Sequence, residues 1–364
     1  MMSLTKYLSD SIDLIFEEAI RASIGSARER KFLIQTAGVQ KKAAEKRSRS
    51  EREGTPVPPF LIASIATKCN LHCAGCYARA NHACGDRAAP RELSAERWGE
   101  LFSEAKSLGV SFILLAGGEP LERPDVLEEA AKTSGLIFPV FTNGTLLSGE
   151  MLDRFDRHRN LIPVVSIEGG RRQTDGRRGK GVFDLVARAT QEMGRRGIFY
   201  GASVTVTKEN LNTVSGTDFM EGLSQNGCRL VFFVEYVPVD GNTGLAPGEN
   251  ERRVLAERQR DLRLRYPNIL FLSFPGDEKQ LGGCLAAGRG FFHINSFGGA
   301  EPCPFSPYSD TSLRTGSLRQ ALQSALFRKI RESSMEAQSH VGGCVLFEKK
   351  AEVENLLRTE NNPA

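Results

Sequence analysis

The stretch Thr67-Lys68-Cys69-Asn70-Leu71-His72-Cys73-Ala74-Gly75-Cys76-Tyr77 follows directly on the apolar, strand-like run Leu61–Ala66. Its three cysteines, spaced C-x3-C-x2-C in one loop, can converge on one metal centre. Thiolates suit iron–sulfur clusters or zinc. Zinc in a structural site would want a fourth protein ligand. A [4Fe–4S] cluster held by three thiolates leaves one iron open to an outside ligand. Spacing alone leaves both readings standing.

Outward from this loop the chain alternates. Strand-like runs Phe112–Leu115, Phe138–Phe141, Pro163–Ile167, Gly201–Val206 and Leu230–Val237 follow the first one. Helical patterns fall between them, near 94–107, 124–133, 148–157, 182–196 and 211–225. Six strands alternating with five helices predict an α/β fold of parallel units, curled into a full or partial barrel. In such a barrel the chemistry sits at the C-terminal ends of the strands. The cysteine loop occupies one of these ends.

Composition narrows the class. The 364 residues carry 48 basic and 44 acidic side chains, a net of +4, too mild to predict nucleic acid as a partner. No apolar run is long enough for a transmembrane helix. The first twenty residues hold acids within their apolar stretch, unlike a secretory signal. Eight cysteines in such a chain predict metal or redox chemistry in the cytoplasm, not a disulfide scaffold. Residues 1–57 predict a helical N-terminal extension, with Leu8, Ile12, Ile15, Phe16, Ala19 and Ile20 at helical spacing. Residues 28–53 hold nine basic and four acidic side chains, so the rest of the chain sums to −1. Such a run reads first as a solvated helix face, and second as a docking surface for an acidic partner or a membrane surface.

Other strand ends match the cysteine loop. The second strand runs into Ala116-Gly117-Gly118-Glu119-Pro120 and the third into Thr142-Asn143-Gly144. The fourth runs into Ser166-Ile167-Glu168-Gly169-Gly170, followed by Thr174-Asp175-Gly176-Arg177-Arg178-Gly179-Lys180-Gly181-Val182-Phe183. Taken singly, these read as glycine turns and a basic loop. Together with C-x3-C-x2-C they resemble the radical S-adenosylmethionine (radical SAM) superfamily. The resemblance implies a partial (β/α)6 barrel over residues 58–237. It implies a [4Fe–4S] cluster on Cys69, Cys73 and Cys76, with SAM on its open iron. It places SAM contacts at Gly117, Gly118, Glu119, Pro120, Thr142, Ser166 and Arg178. A carboxylate such as Glu119 suits an ammonium, and a guanidinium such as Arg178 suits a carboxylate. The sequence departs from the family at three places. Glu168 stands where Asp is usual, Thr174 where His is usual, and Gly75 where an aromatic residue often precedes the third cysteine.

Further on, Cys284, Gly298 and Cys303 are spaced C-x13-G-x4-C, and Cys344 follows in His340-Val341-Gly342-Gly343-Cys344. This resembles the SPASM or shortened twitch domains, here over residues 281–347, after a connecting segment 238–280 and before a tail 348–364. The resemblance implies a small α+β domain with one auxiliary [4Fe–4S] cluster on Cys284, Cys303 and Cys344. His340, Cys228, a water or the substrate are candidates for its fourth ligand. Cys84 and Cys228 read otherwise as non-ligand cysteines. The implied activity is reductive cleavage of SAM to a 5′-deoxyadenosyl radical that abstracts hydrogen from a substrate. Peptide maturation and the tailoring of haem-like or other cofactor precursors are the expected settings. A one-electron donor such as flavodoxin or ferredoxin is the expected partner, beside a peptide or small-molecule substrate. The alternative is a non-catalytic iron–sulfur carrier or scaffold, which would need no SAM pocket.

Overall fold

A computed structural model describes residues 4–23, 25–274, 283–333 and 344–358. One sheet organises them. Strands β1 (Phe60–Ala66), β2 (Phe112–Gly117), β3 (Phe138–Thr142), β4 (Leu161–Ser166), β5 (Gly201–Val206), β6 (Leu230–Glu235) and β7 (Leu270–Phe274) pair in sequence order, all parallel. Helices such as Ala95–Leu108 and Val182–Arg196 cover the outside. The first of these is capped by Ser94, which accepts from Arg97 N, and ends on Gly109 at φ 95°. The parallel series therefore runs one strand past the six read from sequence. The short apolar run Ile269–Phe274 supplies that strand.

At the other edge, β8 (His293–Ile294) lies parallel to β1, and β9 (Gly299–Glu301) and β10 (Thr311–Ser312) continue antiparallel. The C-terminal segment thus extends the barrel sheet. Buried hydrogen bonds fasten it there: His293 Nε2 lies 2.8 Å from Ser64 Oγ on β1, and Ser296 Oγ donates to Ser64 O at 2.8 Å.

The N-terminal helices α1 (Leu4–Ala22) and α2 (Ala27–Arg52) close the opposite end of the barrel. Phe16 stacks on Phe112, the first residue of β2, with centroids 5.7 Å apart. Ile12, Phe16 and Ala19 share a core with Ile137, Ile162, Leu230 and Leu270, all at strand starts. Where sequence predicts an extension, tertiary packing makes a floor. The buried stripe of α2 is Glu29, Leu33, Thr36, Gln40, Ala43, Arg47 and Ser50, at three- and four-residue spacing. Most of the basic run faces solvent, but Arg47 does not. It donates to Gly109 O at 2.6 Å and Ser111 Oγ at 2.9 Å, and burial lowers its pKa to about 10. Buried Glu29 pairs with Arg159, which precedes β4. Among the described residues no helix is long and apolar enough to cross a membrane.

Candidate active site

The loop after β1 is held by backbone bonds. Cys69 N donates to Gly85 O at 2.8 Å, Gly85 N to Thr67 O at 2.8 Å, and Ala74 N to Arg177 O at 2.8 Å. Arg79 ties its carbonyls together, donating to Leu71 O at 3.0 Å and Cys69 O at 3.1 Å. The next strand end comes within contact of this loop. Glu119 N donates to Lys68 O at 2.8 Å. A Cβ at Gly118 would lie 2.2 Å from that oxygen, and one at Gly117 would lie 2.5 Å from Ala66 O. The pair Gly117-Gly118 is thus required by the close approach of two backbones.

Glu119 is 1% exposed and bridges strand ends. Its oxygens accept from Thr142 Oγ1 at 2.6 Å and Asn143 N at 2.8 Å. Burial raises its pKa to about 7 against the pull of those donors. Thr142 reaches the site through Glu119 while its neighbour Asn143 faces the cavity, and Pro120 is buried in the turn behind.

The fourth strand end explains two of the departures from the family pattern. Glu168 Oε1 accepts from Arg177 Nη1 at 2.6 Å and from Arg178 Nε at 2.9 Å, and Oε2 accepts from Thr205 N at 3.0 Å. Burial alone would raise the Glu168 pKa, but the two guanidiniums outweigh it and hold it low. Arg178 keeps Nη1 directed at Cys73 Sγ, 4.0 Å away. Thr174 is fully buried, and its hydroxyl accepts from Glu168 N at 3.1 Å.

The third departure has a structural counterpart. Gly75 has φ +65°, and a Cβ there would meet Tyr236 Cε2 at 2.6 Å. The Tyr236 ring, just past β6, fills the space a side chain at 75 would need. Its hydroxyl donates to Asp240. Sequence reading gives no sign of this contact, because 160 positions separate the two residues.

One cavity of about 460 Å³ joins these parts. Cys69, Cys73, Cys76, Gly117, Gly118, Glu119, Ser166 and Arg178 all line it. So do Pro304 and Phe305, from the stretch after Cys303. Phe305 meets Tyr77 edge-on at 5.2 Å, linking the two cysteine-bearing segments.

Cys284, Cys303 and Cys344 are all buried. Burial, a hydrogen bond with Cys344 and the nearby Cys284 push the Cys303 thiol well up. His340 lies outside the described residues. Cys84 hydrogen-bonds with Cys76, which lowers the Cys76 pKa. Cys228 is buried at the start of β6 and donates to Leu230 O at 3.2 Å. Among the described residues no three His, Cys, Asp or Glu side chains gather as they would around a single ion. A cubane cluster takes each thiolate on a separate iron, so it asks for a trio around a hollow, as the first cysteines stand at the cavity wall. The donor set and the Gly117-Gly118 cradle fit such a cluster with SAM beside it.

Residues 63–218 match the Radical SAM superfamily. The chain carries a radical SAM domain. The AdoMet-dependent heme synthase of Methanosarcina barkeri is 26% identical over 317 residues, covering 80% of this chain and 89% of that protein. The mycofactocin maturase MftC of Mycolicibacterium smegmatis is 26% identical over 299 residues, covering 77% and 74%. In fold, the chain resembles Streptococcus suis SuiB bound to S-adenosylmethionine, with a TM-score of 0.66 at 17% identity over 80% of this chain and 72% of SuiB. The matched residues hold the cysteine loop and the parallel strands from β1 to β5, and the family implies a [4Fe–4S] cluster and SAM.

Proposed function

We propose that this radical SAM enzyme holds its cluster on Cys69, Cys73 and Cys76 and seats SAM among Gly117, Gly118, Glu119, Ser166 and Arg178. The observation that carries this reading is their convergence on one cavity at the strand C-terminal ends. Together, cluster and SAM would supply reductive cleavage of SAM to a 5′-deoxyadenosyl radical that takes hydrogen from a substrate. The chain's own work is positioning and shielding. Gly117 and Gly118 let two backbones approach, which brings the second loop against the cysteines. Glu119 fastens that loop to Thr142 and Asn143. Glu168 aligns Arg178 toward Cys73, leaving Nη1 free to meet a carboxylate.

Cys284, Cys303 and Cys344 are proposed to hold one auxiliary [4Fe–4S] cluster, on the side of the cavity roofed by Pro304 and Phe305. The relatives named above point to two settings, maturation of a peptide and synthesis of haem. A flavodoxin- or ferredoxin-like donor in the cytoplasm would deliver the electron. The test is anaerobic reconstitution with iron and sulfide, then addition of dithionite and SAM. 5′-Deoxyadenosine is expected from the parent and not from the Cys73→Ala variant. Failure of the fully loaded parent to form it would overturn the reading. For the second site, Cys303→Ala should lose about one cluster's worth of iron while some SAM cleavage remains. Iron content equal to the parent's would refute that site.

A further inference from the structure

The cavity changes character with depth. Its polar side chains, among them Glu119, Asn143, Ser166, Arg178 and Glu235, stand near or beyond the C-terminal ends of the strands, and Ser203, within β5, lies level with Ser166, its partner on β4. Below them the wall is hydrocarbon down to Ile15, Phe16 and Ala19 of α1.

The strands show that this lower part is hollow. Closed eight-stranded (β/α)8 barrels are ordinarily filled by layers of inward side chains. Here Ile113 and Leu115 of β2, and Val231 and Phe233 of β6, are fully buried among the core residues. Their alternating neighbours Phe112, Leu114 and Phe232 face the cavity and keep part of their surface exposed. Phe141 and Leu272 do the same on β3 and β7. The interior of the barrel is less tightly packed than the layer outside it.

Resting on the reading of the same cavity as the site of radical chemistry, we propose that its lower part binds an apolar portion of the substrate, a hydrocarbon chain or fused ring system. No peptide backbone enters it. Every N–H and C=O of a peptide placed there would lose its water and find no donor or acceptor on the wall. An apolar group loses nothing by the same transfer. The polar rim and apolar floor orient such a ligand, with its hydrocarbon toward α1 and its polar end toward Arg178 and the cysteine loop. This favours a prosthetic-group precursor or another amphiphilic small molecule over a peptide main chain.

The test uses the reconstituted full-length protein and a neutral aromatic probe, N-phenyl-1-naphthylamine, followed by fluorescence, with SAM affinity measured on the same samples. Saturable one-to-one binding is expected, with displacement by 1-dodecanol and none by acetyl-tetraalanine amide. Leu114→Trp and Ala19→Phe, which fill the hollow from two sides, should each weaken the probe by about tenfold or more while SAM affinity holds. Absence of saturable binding, displacement by the peptide, or unchanged affinity in both variants would overturn the proposal. Loss of SAM binding with probe binding intact would instead count against the assigned SAM site and leave the apolar chamber standing.

Discussion

The two ends of the barrel are built from opposite materials. The C-terminal rim is polar, glycine-rich and backbone-driven. Gly117 and Gly118 give way to carbonyl oxygens, Glu119 brackets two loops, and Glu168 holds two guanidiniums. The N-terminal floor is aromatic inside and polar outside, made by Phe16 on Phe112 and by the stripe of α2 that ends on Arg47 and Ser50. The rim positions groups for chemistry, and its chemistry constrains residue identity. The floor closes a space, and there only size and polarity matter. Substitutions at the rim should therefore strike activity, whether or not they also cost stability, and those at the floor should cost stability while the folded protein keeps its chemistry.

The largest expected effect is at the rim. Cys73→Ala should abolish 5′-deoxyadenosine formation with little change in the urea midpoint of the metal-free protein, since Cys73 is only half-buried. A large fall in that midpoint would break the contrast. Glu168→Gln comes next, because it leaves Arg177 and Arg178 without their buried counter-charge. Removing one partner of a buried pair costs about 3–5 kcal/mol, and SAM affinity should fall with it. Unaltered SAM affinity would show that Arg178 is not positioned through Glu168. At the floor, Phe16→Ala should cost about 3 kcal/mol in denaturant unfolding. Iron content and SAM affinity should persist at temperatures where the variant stays folded. If the cluster is lost while the fold holds, floor and rim are coupled.

A smaller effect sharpens the picture of the cysteine loop. Gly75→Ala introduces both a left-handed backbone strain of about 1–2 kcal/mol and a clash with Tyr236. Iron retention should drop, and adding Tyr236→Leu should recover part of it. No recovery would place the whole cost in the backbone. The smallest change is expected for Arg28→Ala, whose pairing with Asp156 is largely exposed. Such pairs contribute about 0–1 kcal/mol.

The rim was far more legible in the sequence than the floor. Local spacing sets the cysteine loop, and strand-ending glycines announce close backbone contacts, so Cys69, Gly117, Gly118, Ser166 and Arg178 meet where their places after strands predict. Thr142 sits behind the wall because alternation along a strand decides which side a residue faces, and Pro120 does so as the buried first residue of the short turn Pro120–Glu122. Glu168 and Thr174 look like departures in the sequence, yet the longer carboxylate reaches both arginines and the hydroxyl holds its backbone. The helix Arg171–Arg178 gave no periodic signal, since its only buried members are Thr174 and Arg178. On α2, a buried stripe of Glu, Thr, Gln, Arg and Ser with only Leu33 and Ala43 between them has too weak a hydropathy pattern to betray it.

What the sequence by itself determined is the order of strands and helices, the cysteine spacing and the glycines between backbones. All follow from short-range geometry and periodicity. Tertiary structure alone decided three other things. It turned the N-terminal helices into the floor of the barrel. It brought the Tyr236 ring against Gly75. It left the barrel hollow beneath a polar rim. Each depends on which surfaces meet across long separations in the chain, and packing volume between such surfaces is not written in any local pattern.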